Sequence, residues 1–236
     1  MRSVIRNPND IVERLVADFQ TVSGGRLLSV VMYGSAVSHE YRPGRSDINV
    51  LFVLDKISVA MLRDCTKTAA RWKKRGVAPL LLPKYMLESL PGIFPVEFFD
   101  MHHNYRVLLG DDMLASLKLD KDKLMVQCRR ELYGIAVHLR MEIMHGGGAP
   151  RRLDGILAAS LRSQLPYFKA MLFVGGRKIP NTKAEIVAAV EEFCGLGSSV
   201  LSEIVNGASP GSAMVFDRCE RFLEAVEAID RYLFSE

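Results

Sequence analysis

The chain has 236 residues, 49% hydrophobic and 25% charged, which suits one large domain or two small ones with cores of their own. Its 31 basic and 27 acidic residues leave a net charge of +4, too mild for a nucleic-acid binder but compatible with a small anion such as a nucleotide. Cys65, Cys128, Cys194 and Cys219 are scattered, with no C-x-x-C pair, and are expected as reduced, mostly buried thiols.

From the N-terminus, Met1 to Val16 is interrupted by Arg2, Arg6, Asp10, Glu13 and Arg14, so it reads as neither a signal peptide nor an anchor. No apolar run approaches the roughly 18 residues of a membrane span, and a cytoplasmic protein is expected. Pro8-Asn9-Asp10 starts a helix whose apolar face carries Ile11, Val12, Leu15, Val16 and Phe19, and Gly24-Gly25 ends it. Leu27–Tyr33 and Ile48–Leu54 are apolar runs of strand length. Residues 59–75 form a helix closing on Arg71, Lys73, Lys74 and Arg75, a solvated basic end that suits the helix dipole, with Trp72 as a packing residue. Val77 to Leu82 reads as a third strand bounded by Pro83, and Phe94 to Met101 as a fourth, entered through Pro91-Gly92.

From about Lys121 the pattern is helical. Cys128, Leu132, Ile135, Leu139 and Ile143 form one stripe, stopped by Gly146-Gly147-Gly148. Leu157, Leu161, Leu165, Phe168 and Leu172 form the next, with a kink or break expected at Pro166. Thr182 and Glu185 have capping-box spacing before Ile186, Val190 and Phe193, and the last helix carries Val215, Cys219, Phe222, Val226, Ile229 and Leu233. These stripes read as the core of a bundle. The expected fold is α+β: a mixed-sheet domain over residues 1–115, then an all-α helical bundle over 116–236.

Chemistry concentrates between the first two strands. Gly34 lets the backbone turn tightly and approach a ligand. A short helix starting at Ser35 would offer free amides and a hydroxyl to a phosphate. Asp47 and Asn49 lie two apart at the opening of the second strand, so they share a face. Acids placed there could hold Mg2+ against nucleotide phosphates; a turn or cap role is the alternative for Asp47. Arg42 and Arg45, in the loop between, either neutralise outer phosphates or are solvated. His102 and His103 read as surface or internally satisfied histidines, with proton transfer near a site as the alternative.

The conjunction is a strand, Gly34-Ser35-Ala36-Val37, then Pro43, then Ser46-Asp47-Ile48 opening a second strand. It resembles the nucleotidyltransferase superfamily of DNA polymerase beta type, and within it the bacterial antibiotic adenylyltransferases that act on streptomycin and spectinomycin. The likeness is close over residues 29–54, weaker to residue 110, and architectural over the helical half. It implies a nucleotidyltransferase-like fold and transfer of a nucleoside monophosphate, AMP from Mg-ATP foremost, to a hydroxyl of a small molecule or protein. It implies nucleotide contacts from Gly34, Ser35, Arg42, Arg45, Ser46 and Asn49, and Mg2+ ligation by Asp47, Asn49 and Glu97. Asp47 and Glu97 would be catalytic, with Glu97 as the base that activates the acceptor. Asp100 is the competitor for that base, placed by strand alternation on the opposite face.

Asn49 departs from the family, which has an acid there. A neutral amide leaves the metal charge under-compensated, and electrostatic groups of this kind are worth on the order of 10²–10³ in rate each. A catalytically inactive nucleotide-binding or regulatory protein with the same fold is therefore the alternative. The expected partners are a nucleotide and a small-molecule or protein acceptor, with neither nucleic acid nor membrane; a homodimer is compatible with the sequence. Acids of the helical half are interspersed with Arg and Lys rather than gathered, which argues against a cationic antibiotic as acceptor.

Overall fold

The computed structural model describes residues 5–38, 41–145, 149–197, 199–207 and 214–234. Contacts divide the chain into two compact units, Met1–Leu119 and Asp120–Glu236.

The first unit opens with a 3-10 turn, Pro8–Ile11, capped by the Asn7 side chain, and continues as α1, Val12–Ser23, ended by Gly24 in the left-handed conformation. Strands β1, Leu27–Tyr33, and β2, Ile48–Leu54, follow with the bounds their apolar runs suggest. Helix α2, Val59–Lys73, is capped by Ser58, and it carries the chain over to β3, Val77–Pro83, which pairs parallel with β2, as a helical crossover requires. The sheet order is β3-β2-β1-β4, with β1 antiparallel to both neighbours.

Strand alternation gives the sheet two apolar faces. On one, Val30, Met32, Val50 and Phe52 pack with Leu15 and Phe19 of α1 and Trp72 of α2. Trp72 also donates to Asp18 at 2.9 Å, and Arg71 pairs with the same carboxylate at 2.8 Å. On the other face, Val31, Leu51 and Val53 meet Leu87, Phe98, Met101 and Leu114. Leu87 comes from α3, Lys84–Ser89, and Phe98 and Met101 from α4, Pro95–His103.

Helix α4 corrects the sequence reading, which takes Phe94 to Met101 as the fourth strand. Val96, Phe98 and Phe99 favour strand by side-chain type. Pro95 at the first helical position and Glu97 in the first turn are helix-start chemistry, and the helix buries Val96, Phe98, Phe99 and Met101. The fourth strand is β4, Tyr105–Gly110.

Among the described residues, the regular secondary structure of the second unit is all helix. Its helices are α5, Lys121–His145; α6, Pro150–Val174; α7, Lys183–Phe193; α8, Val200–Val205; and α9, Val215–Phe234. Cys128, Leu132 and Leu139 of α5 are buried with the whole expected stripe of α6. The glycines at 146–148, expected to stop α5, lie outside the described residues. The break expected at Pro166 is absent: α6 runs through it. The carbonyl that Pro166 leaves without an amide partner belongs to Arg162, an exposed residue, so water can take the bond. Thr182 and Glu185 form the full capping box of α7. Helix α8 is short; Ser199 caps it by accepting the Leu201 amide at 3.1 Å, and buried Glu191 accepts the Ser202 amide at 3.0 Å and the hydroxyls of Ser199 and Ser202. Among the described residues, no helix is long and apolar enough to cross a membrane.

Candidate functional site

The site is built at the end of β1. Gly34 has φ +72°, a conformation that disfavours side chains, and the chain then makes a 3-10 turn over Gly34–Val37. The Gly34 amide donates to the Asn104 carbonyl at 2.8 Å. This bond ties the turn to the junction of α4 and β4. The Ser35 carbonyl accepts from the amide and hydroxyl of Ser38, at 3.1 and 3.2 Å. The Ser35 hydroxyl itself has no hydrogen-bond partner among the described residues.

In the sheet register Tyr33 of β1 stands between Asn49 of β2 and Tyr105 of β4. A Cβ added at Gly34 would sit 3.3 Å from the Asn49 amide nitrogen. Glycine therefore leaves the turn and Asn49 in close approach. Asp47 is exposed at the entrance to β2, with its carboxylate unpaired among the described residues.

The loop leading to Asp47 is held by Ser46. Its hydroxyl accepts the Arg42 amide at 3.1 Å, and its own amide donates to the Arg42 carbonyl at 2.9 Å. Arg42 and Arg45 are exposed. Tyr41 anchors the loop start by donating to the Ile5 carbonyl at 2.8 Å.

Glu97 is displaced from its expected setting because it belongs to a helix. It is exposed in the first turn of α4, with Asp100 one turn on and half-buried. Residues three apart on a helix are neighbours, so these two acids share a side instead of opposing each other across a strand. Asp100 acts on Tyr33: burial chiefly, and the Asp100 charge in addition, raise the phenol above its ordinary range. An acid thus stands near the residue that precedes the glycine. His102 and His103 are engaged with rings, His102 with Tyr105 at 5.7 Å and His103 stacked on Phe99 at 5.8 Å.

The sequence reading misses Tyr33, Asn104 and the position of Asp100. Pro95 was the available signal, since a helix starting there places Glu97 and Asp100 on one side. Among the described residues, no group of three His, Cys, Asp or Glu side chains is placed to hold a metal ion.

No protein-family model and no curated protein matches the chain. Among solved structures it is similar to the spectinomycin adenyltransferase AAD(9) from Enterococcus faecialis, determined with ATP and spectinomycin. The TM-score is 0.56 at 9% identity, over 92% of this chain and 98% of that one. The likeness extends through both units, and the fold is that of a nucleotidyltransferase-like mixed sheet followed by helices.

Proposed function

We propose that the first unit binds a nucleoside triphosphate, ATP foremost, at the Gly34–Ser35 turn and transfers its nucleoside monophosphate slowly to a hydroxyl of a small molecule or protein, the new ester bond replacing the α–β phosphoanhydride and pyrophosphate leaving. The supporting observation is a glycine turn pinned by Asn104, with a Ser35 hydroxyl that has no partner among the described residues and the Asn49 amide against the glycine. Ser35 receives a phosphate oxygen, and Asn49 fixes the turn from the neighbouring strand. Arg42 and Arg45 supply positive charge from the loop that Ser46 holds. The solved neighbour carries ATP, which makes ATP the first nucleotide to test.

Asp47 with Asn49 offers one carboxylate and one amide. That pair does not fit two carboxylate-bridged ions. It does fit Mg2+ that arrives on the triphosphate, which needs only one or two protein carboxylates, with Asp47 as the ligand and Asn49 beside it. The ion would neutralise charge on the phosphates. Glu97 and Asp100 compete to take the acceptor's proton. The position of Asp100 near Tyr33 favours it over the exposed Glu97, and separate Glu97→Gln and Asp100→Asn variants discriminate between them.

A second reading is nucleotide binding without transfer. The neutral amide of Asn49, beside Asp47 at the opening of β2, favours it. An assay with labelled ATP and a panel of hydroxyl acceptors separates the two. The proposal expects weak Mg2+-dependent transfer that Asp47→Ala abolishes and Asn49→Asp raises by about 10²-fold or more. Binding with no transfer, in the native chain and in Asn49→Asp alike, leaves the second reading standing.

A further inference from the structure

We infer that the outer face of α5 is a homodimer seam, on which α5 of a second copy packs antiparallel. The buried side of this helix carries Leu124, Cys128, Leu132, Ala136 and Leu139. The opposite side should be polar in a bundle helix that ends its packing there. Instead Val126, Tyr133, Val137, Met141 and Met144 are between 48% and 78% exposed, although the Tyr133 hydroxyl donates to Asp230 of α9 at 2.9 Å.

Their spacing is informative. Val126, Arg130, Tyr133, Val137, Arg140 and Met144 step by 4, 3, 4, 3 and 4 along the chain, the heptad seam of helices that pack along their length. The same series reads alike in both directions. A two-fold axis between Tyr133 and Val137 sets Val126 against Met144, Arg130 against Arg140, and Tyr133 against Val137. Such a spacing lets the helix pack against an antiparallel copy of itself, the isologous arrangement that a two-fold axis gives.

Charge is balanced in the same arrangement. Arg130 pairs with Glu131 at 3.1 Å and Arg140 with Glu227 at 2.9 Å. Each apposed guanidinium therefore brings a carboxylate, and Arg130 of one copy meets the Arg140–Glu227 pair of the other. Gly134 adds an independent observation. It lies mid-helix beside the seam, and a Cβ there would touch nothing within 4 Å. A helix-interior glycine weakens a helix relative to alanine, and among the described residues nothing packs against it. Next to the two-fold it lets two backbones approach.

Sedimentation equilibrium of the full chain, from low micromolar to several hundred micromolar, tests the seam. A monomer–dimer equilibrium is expected. Val137→Glu should weaken it at least about tenfold, because a carboxylate enters the seam unpaired, while the circular dichroism spectrum stays unchanged. The double variant Val126→Cys/Met144→Cys should give a disulfide-linked dimer on oxidation, and Val126→Cys alone should not, since only antiparallel copies bring the two ends together. A chain that is monomeric throughout overturns the inference, whether or not it sediments with anionic vesicles. So does a dimer indifferent to Val137→Glu.

Discussion

Asn49 and Gly34 decide between them what the end of β1 can do. The glycine is required twice over: its φ of +72° disfavours a side chain, and a Cβ would press on the Asn49 amide. Gly34→Ala is expected to lower stability by about 1–2 kcal/mol from the left-handed backbone, and to weaken nucleotide binding beyond that by moving Asn49. A thermal melt together with a binding titration of the variant measures both; an unchanged melt contradicts the geometry. The thiols are a second residue-scale case. Burial pushes Cys128 up to about 12 and Cys194 up to about 11, and raises Cys65 and Cys219 as well. All four are free and buried, and protonated thiols are poor nucleophiles. A disulfide-exchange reagent at neutral pH should label the native chain slowly and all four cysteines rapidly once it is unfolded. Rapid labelling of even one native thiol would contradict their burial. The place of Asp47 and Asn49 at the opening of β2 was legible from the apolar run of that strand. Tyr33 was not, because nothing in a lone tyrosine at a strand end announces the acid that approaches it from α4.

At the scale of elements, local signals were readable where local physics decides. The apolar runs of β1 and β2, the Thr182–Glu185 capping box and the α6 stripe are set by residues within a few positions of one another. The errors arose where tertiary contacts decide. Phe98 and Met101 fit either a strand or a helix, and the sheet face lined by Val31, Leu51 and Val53 accepts them from a helix. Strand β4 carries exposed Arg106 and Gly110 and only half-buried apolar residues between them, a weak pattern for a strand paired along β1. Helix α8 depends on buried Glu191, eight residues before Ser199, which propensity cannot register. At Pro166, where a kink or a break was expected, the helix is unbroken, and Leu165 and Phe168 beside it are buried in the bundle core.

The whole molecule joins a mixed-sheet unit and a helical unit, each with its own core, in a fold it shares with an adenyltransferase at 9% identity. A shared fold at that distance does not carry activity with it, so the proposed nucleotide site has to be tested at the turn, Asp47 and Asn49. Titration calorimetry of Mg-ATP into the full chain and into Asp47→Ala tests that most directly. Saturable binding to the native chain, weakened at least about tenfold in the variant, an effect of roughly 1.4 kcal/mol, is the expected result. Absence of binding to the native chain, or equal binding to both, would contradict a nucleotide site at the Gly34–Ser35 turn.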